Sequence, residues 1–125
     1  MMEAGLVFDK YGGLIHWHLP PDRSAGALPD SRSLWDILWD NREILGGVAH
    51  THPWSGSAGP SGTDLTTFAA VEKGLGRRLV WPVVTFTEIG YFEWVGPERL
   101  DYAVLKLRRF RIKRGLIEEL RDLSR

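Results

Sequence analysis

The sequence of this chain is organised around the stretch Leu45-Gly46-Gly47-Val48-Ala49-His50-Thr51-His52-Pro53, which seven intervening residues separate from Ser61-Gly62-Thr63-Asp64. The small and apolar residues before His50 predict a buried strand, and its glycines allow another backbone to approach closely. Side chains two residues apart in a strand face the same side, so His50 and His52 converge at the strand end. Pro53 lacks a backbone N–H and therefore ends the strand.

The second stretch brings a carboxylate within reach of the two histidines. A loop rich in Ser, Gly and Pro lets the chain fold back, and Asp64 stands in the first turn of the helix that follows. Two histidines and one carboxylate leave the fourth position of a tetrahedral zinc ion open for water, which is typical of catalytic zinc sites. We therefore predict that His50, His52 and Asp64 bind Zn²⁺.

Each half of this pattern has an ordinary structural explanation when it is taken alone. A His-x-His pair occurs in many strands, and Ser61-x-x-Asp64 is typical of a helix capping box. Their combination with Pro53 at this spacing favours a metal site. Capping is also compatible with ligation, because backbone N–H groups can order a first-turn carboxylate while it binds a metal.

The remaining segments predict strands alternating with helices. Apolar runs at 6–8 and 14–19 flank a glycine-containing turn and predict a hairpin, whereas 22–31 predicts a surface loop. Pro82 predicts a break or an edge position in its strand. The other expected elements are strands at 79–86, 91–95 and 101–107, and helices at 33–42 (opened by Ser33), 63–73 (closed by Gly74) and 116–123.

These elements predict an α/β (α+β) fold, a mixed β-sheet flanked by helices. We expect one domain over residues 1–125, in which 108–125 form a basic segment and a C-terminal helix. The length of 125 residues suffices for one hydrophobic core.

Composition and charge limit the functions to be considered. The 16 basic residues balance the 16 acidic ones, so neither nucleic acid nor a membrane is expected as a general partner. The chain has no cysteine, which excludes disulfides and thiolate zinc sites. The first residues lack a basic region followed by a long apolar run, so we expect a soluble, cytoplasmic protein.

The motif His50-x-His52-Pro53, seven residues, Ser61-x-x-Asp64 matches every fixed position of the motif of the JAB/MPN domain (JAMM) zinc metalloproteases. The chain resembles the small single-domain prokaryotic or phage members of that family, since the motif follows a helix and a glycine-containing strand and precedes a helix. The resemblance implies that most of the chain adopts a JAB/MPN-like fold. It also implies zinc held by His50, His52 and Asp64, with Ser61 helping to stabilise the tetrahedral oxyanion.

The general base of the family is a glutamate upstream of the motif, followed by small residues and an apolar strand. Glu3-Ala4-Gly5-Leu6-Val7 has that arrangement, so the resemblance implies that Glu3 moves the proton of the zinc-bound water. The family usually has a helix before this glutamate, whereas only Met1 and Met2 precede Glu3. Glu43, the other glutamate before His50, lies too close to it in sequence. A frayed Glu3 would instead indicate a zinc-binding pseudoenzyme.

Two functions stay open on these grounds. The first is zinc-dependent hydrolysis of a peptide or isopeptide bond in a protein or peptide, such as a ubiquitin-like tail, a peptide tag, or a phage or bacterial assembly protein. The second is a non-catalytic, zinc-binding MPN-like scaffold that binds protein partners. A zinc deaminase would need cysteine ligands and a zincin would need His-Glu-x-x-His, and the sequence contains neither.

Three further features predict local roles. His16 and His18 share a strand face and predict either an edge-strand or groove pair or a second ion site, although no third ligand follows at a suitable spacing. Trp54, just after the ligands, is expected to flank the substrate channel. The run 106–114 alternates basic and apolar residues, which favours a solvated edge strand over a patch for an acidic partner or nucleic acid.

Overall fold

The computed structural model describes residues 1–104 and 111–125, which form a mixed sheet and three helices. The strands are β1 (Gly5–Asp9), β2 (Leu14–His18), β3 (Leu45–Thr51), β4 (Trp81–Val84), β5 (Ile89–Trp94) and β6 (Tyr102–Val104). The helices are α1 (Arg32–Asp40), α2 (Gly62–Leu75) and α3 (Arg114–Ser124). This architecture confirms the predicted α+β class.

The order of strands in the sheet is β2-β1-β3-β4-β5-β6. Among the described residues β3 and β4 are parallel and the other neighbouring strands are antiparallel. A parallel pair needs a crossover, which α2 provides, so α2 starts at the sheet edge where β3 ends and runs back along the sheet. In the ladder, His50 pairs with Gly5 on one side and with Val83 on the other. The topology thus joins the N-terminal segment, the two histidines and the start of α2 at one edge.

The sheet is covered on both faces, and β3 is buried along its whole length. On one face Leu120 of α3 belongs to the same buried cluster as Ala49. On the other face Leu38 of α1 and Phe68 of α2 belong to a cluster with Val48. Because side chains alternate along a strand, β3 directs Val48 and His50 towards α1 and α2. Burial on both faces explains its continuous run of small and apolar residues.

α1 begins before the predicted start because its N-cap is Ser31 and not Ser33. The Oγ atom of Ser31 accepts a hydrogen bond from the backbone N–H of Leu34 at 3.0 Å. Ser33 lies inside the first turn, so the predicted cap was wrong by two positions.

α2 extends to Leu75, beyond the predicted end, because Gly76 and not Gly74 is its C-cap. Gly76 has a φ of 72°, the left-handed conformation in which glycine avoids the strain of a side chain. Gly74 has a packing reason instead, since a Cβ atom there would lie 2.8 Å from the ring of Trp35.

Pro82 lies in an internal strand, so the expectation of an edge position was wrong. β4 pairs with both β3 and β5. Its pairing with β3 consists of an isolated bridge at Val80 and a ladder that starts at Val83, so the pairing is interrupted at Pro82. Proline has no N–H to donate, which accounts for the predicted break.

The predicted strand 101–107 is described as β6 up to Val104. Residues 105–110 lie outside the described part of the chain, so the edge-strand interpretation of the basic run 106–114 stays a prediction. The predicted C-terminal helix is confirmed as α3. Within the described ranges, no helix combines the length and the apolar character needed to cross a membrane.

Candidate metal centre

β3 and α2 bring three potential ligand atoms into one cluster. The Nε2 atoms of His50 and His52 lie 3.2 Å apart, and the Oδ2 atom of Asp64 lies 3.0 and 3.1 Å from them. A zinc ion with bonds of about 2.0–2.1 Å has tetrahedral ligands about 3.3 Å apart. The three atoms therefore already approximate one face of a zinc tetrahedron, and this donor set fits the ion that the sequence predicts.

Asp64 is positioned by the start of α2. The backbone N–H of Ser61 donates to Asp64 Oδ2 at 2.9 Å, and the N–H of Asp64 donates to Ser61 Oγ at 3.1 Å, which makes a reciprocal capping box. Burial raises the pKa of Asp64, but hydrogen bonds to His50 and His52 and to the N–H of Ser61 outweigh it and hold the pKa well below its usual value. Asp64 is thus an ionised donor at neutral pH.

Aromatic neighbours orient both imidazole rings. The ring of His50 meets that of Phe68 edge to face with centroids 6.2 Å apart, and the ring of His52 lies 4.6 Å from that of Trp54. Both histidines are buried, at 7% and 5% exposure. Among the described residues, His52 Nδ1 is a buried nitrogen without a hydrogen-bond partner. This departs from the common arrangement in which the second nitrogen of a ligating histidine is hydrogen-bonded.

Glu3 is buried beside the two histidines. The N-terminal segment continues its pairing with β3 past β1, since Thr51 N donates to Ala4 O at 3.0 Å and Ala4 N donates to Thr51 Oγ1 at 2.8 Å. Glu3 N in turn donates to Ser24 O at 2.7 Å. The residue is 6% exposed, and its carboxylate and the ring nitrogens of both histidines all lie within 4.8 Å of one another. The alternative of a frayed Glu3 is therefore wrong.

The environment of Glu3 suits a proton acceptor. Burial raises its pKa, the positive potential of His50 and His52 opposes that rise, and the negative charge of Asp64 adds to it. Glu3 and the two histidines also form a group that could itself hold a metal ion. The atoms of the Asp64 set are closer together, which favours Asp64 as the third ligand.

A cavity of about 570 Å³ opens in front of this cluster. Ser61 and Trp54 both line it. The hydroxyl of Ser61 accepts a hydrogen bond from Asp64 and still has its own hydrogen to donate. Trp54 is 48% exposed, so one part of its ring faces solvent while another covers His52.

The loop before α1 forms part of the cavity wall, which the sequence did not indicate. Leu28, Pro29 and Asp30 line the cavity, and Arg23 Nη1 donates to the backbone oxygen of Glu3 at 3.2 Å. The sequence signals in this loop, its glycine and prolines, predict only a surface position. Its role depends on contacts with residues far away in sequence.

His18 has a structural role in the same wall. It is 5% exposed, and its Nε2 donates to Pro29 O at 2.7 Å, which ties β2 to the loop. Burial lowers the pKa of His18 despite this hydrogen bond. Within the described residues, the group that could hold a metal contains neither His16 nor His18. The groove interpretation therefore describes His18 better than a second ion site does.

Comparison of the chain with known protein families gave no matching family, and comparison with curated proteins gave no match.

Proposed function

We propose that this protein is a JAMM-type, zinc-dependent hydrolase that cleaves a peptide or isopeptide bond in a protein or peptide substrate. One observation carries the proposal. A ligand set with the dimensions of a zinc site and the buried carboxylate of Glu3 lie side by side at the wall of a single cavity. With Glu3 outside the ligand set, the three ligands leave the fourth position of the ion open for water, as in catalytic zinc sites.

Each residue has a defined part in this reaction. His50, His52 and Asp64 would hold a zinc ion, which would supply Lewis-acid polarisation at the wall of the cavity. Glu3 takes a proton from the attacking water and passes it to the leaving amine, and the hydroxyl of Ser61 donates to the developing oxyanion.

Several substrates agree with this reaction, namely a ubiquitin-like tail, a peptide tag and an assembly protein. The balanced charge of the chain supports a protein substrate over nucleic acid. The absence of cysteine is compatible with the reducing cytoplasm, where we place the protein.

Glu3→Gln tests the proposal, because glutamine keeps the shape of the side chain but cannot take up the proton. We expect turnover to fall by about 100-fold or more while zinc stays bound. The assay is hydrolysis of a Gly-Gly-ended ubiquitin-like fusion and of a pool of unstructured peptides, with bound zinc measured in parallel. Glu43→Gln is the matched control, since Glu43 is exposed between α1 and β3 and should change little.

The outcomes separate the alternatives. Full activity of Glu3→Gln would show that the base lies elsewhere, and Asp30, which lines the same cavity, would be the next candidate. A wild-type protein that holds zinc and cleaves none of the substrates would favour the non-catalytic MPN-like scaffold.

A further inference from the structure

The cavity continues beyond the metal cluster as an apolar groove. Its floor is formed by β3 and β4, its walls by α1 and α2, and its rim by residues 26–30. The side chains that we call the apolar groove are Leu28, Leu34, Leu38, Val48, Phe68, Val71 and Trp81, with Thr67 beside them.

The length of this groove can be estimated from the residues of α2 that line it. Asp64, Thr67 and Val71 follow one another at spacings of three and four residues, so they lie on one face of the helix, and all three line the cavity. With a rise of about 1.5 Å per residue, Val71 lies roughly 10 Å along the helix axis from Asp64. An extended peptide covers that distance in about three residues.

The side chains on the floor of the groove are polar at the metal cluster and apolar further along it. Val48 precedes His50 by two residues and faces the same side of β3. α2 runs in the direction opposite to β3, so a residue late in α2 lies beside a residue early in β3. Val71 and Val48 therefore lie on the same side of the metal cluster. Trp81 continues this floor on β4, two residues before the partner of His50 in the ladder. The α1 wall adds Leu34 and Leu38 at helical spacing.

We propose that the apolar groove binds a bulky apolar side chain, such as Leu or Phe, of a substrate residue next to the scissile bond. This inference rests on the proposed function, and it narrows the substrates to peptides with such a residue. The occupant follows from the position of the groove, which is continuous with the metal cluster. In the proposed reaction the substrate is the chain that must pass over this cluster, so a substrate side chain is the group that reaches the groove. A tail made of glycine alone would leave the half-buried part of the lining, Leu28, Thr67 and Val71, in contact with water.

The test compares blocked Gly/Ser hexapeptides that carry Leu, Phe or Gly at either position flanking the central bond. Binding to the metal-free protein is measured by isothermal titration calorimetry, and cleavage by the zinc-loaded protein is measured by mass spectrometry. Burial of one large apolar side chain corresponds to about a tenfold or greater gain in affinity. We expect the Leu and Phe peptides to exceed the Gly peptide by that factor in binding and in kcat/KM.

Thr67→Phe and Thr66→Phe form a matched pair of variants. Thr67 lines the groove, so the ring of a phenylalanine there should fill it. We expect this variant to bind and cleave the Leu, Phe and Gly peptides about equally well. Thr66 is the adjacent, exposed residue and does not line the cavity, so its variant should keep the wild-type preference. The comparison of peptides on the wild-type protein needs no variant and remains decisive if Thr67→Phe does not fold.

The result distinguishes this inference from the proposed function. Cleavage with equal or greater efficiency for the Gly peptides would overturn the groove inference and leave the hydrolase proposal standing. Tighter binding of the Leu and Phe peptides without any cleavage would support the groove and contradict the hydrolase. Equal binding of all peptides to the metal-free protein would also count against the groove.

Discussion

Glu72 anchors the C-terminal half of α2 to the sheet, and Glu72→Ala is expected to destabilise the protein by several kcal/mol. The residue is 3% exposed and accepts four hydrogen bonds. Its Oε2 accepts from Leu79 N and Trp81 Nε1, each at 2.8 Å. Its Oε1 accepts from Arg78 Nη1 at 2.9 Å and from the hydroxyl of Tyr102. The carboxylate has no acceptor position left over, so its removal affects four donors at once.

The size of the effect follows from where these donors lie. Leu79 and Trp81 are each 3% exposed, and a buried donor left without a partner costs about 1–3 kcal/mol. Arg78 and Tyr102 are more exposed, and in the variant their side chains can donate to water. Losing their hydrogen bonds to Glu72 therefore adds only about 1 kcal/mol to the loss of stability. The expected loss is therefore about 3–7 kcal/mol, a large part of the roughly 5–15 kcal/mol that stabilises a domain.

Urea denaturation followed by tryptophan fluorescence measures this loss. Glu72→Gln is the control, because its amide oxygen still accepts from Leu79 and Trp81 and its NH₂ group can donate to Tyr102. We expect a loss of about 1–2 kcal/mol for glutamine. A loss below about 1 kcal/mol for Glu72→Ala, or equal losses for the two variants, would refute the reasoning.

The other predictions concern the metal, the packing of β3 and the basic run. His52→Ala should reduce bound zinc from about one per chain to nearly none, measured by plasma mass spectrometry, whereas His16→Ala should keep it. Gly47→Ala should destabilise by more than about 2 kcal/mol in thermal melts, because its Cβ would lie 1.7 Å from a backbone oxygen, whereas Gly59→Ala meets open space and should change little. Charge reversal of Arg108 and Arg111 to Glu should leave turnover of a small peptide unchanged, because charges distant in sequence from the metal cluster are expected to act mainly on encounter rates; a collapse of turnover in a folded variant would place the run in the site.

Local spacing was sufficient to predict that the side chains of His50, His52 and Asp64 could converge. That His50 and His52 face one side follows from the period of two in a strand, and the position of Asp64 follows from its distance to the Ser61 cap. Both patterns depend on residues within a few positions of one another, where backbone geometry leaves few choices. The ends of α1 and α2 were less certain, because several neighbouring serines or glycines can serve as a cap and tertiary packing selects among them.

The groups that surround His50, His52 and Asp64 could be identified only from the tertiary structure. Glu3 lies at the histidines because the N-terminal segment pairs with β3, and the loop before α1 forms the cavity wall through contacts with Glu3 and His18. The role of Glu72 likewise depends on donors that another part of the chain supplies. Apart from the bond between Glu72 and Leu79, which are seven residues apart, these contacts join residues 11 or more positions apart in sequence, and no local periodicity encodes them. Short-range geometry therefore determined which side chains can converge as a ligand set, whereas strand pairing and helix packing determined which carboxylate and which cavity lie beside them.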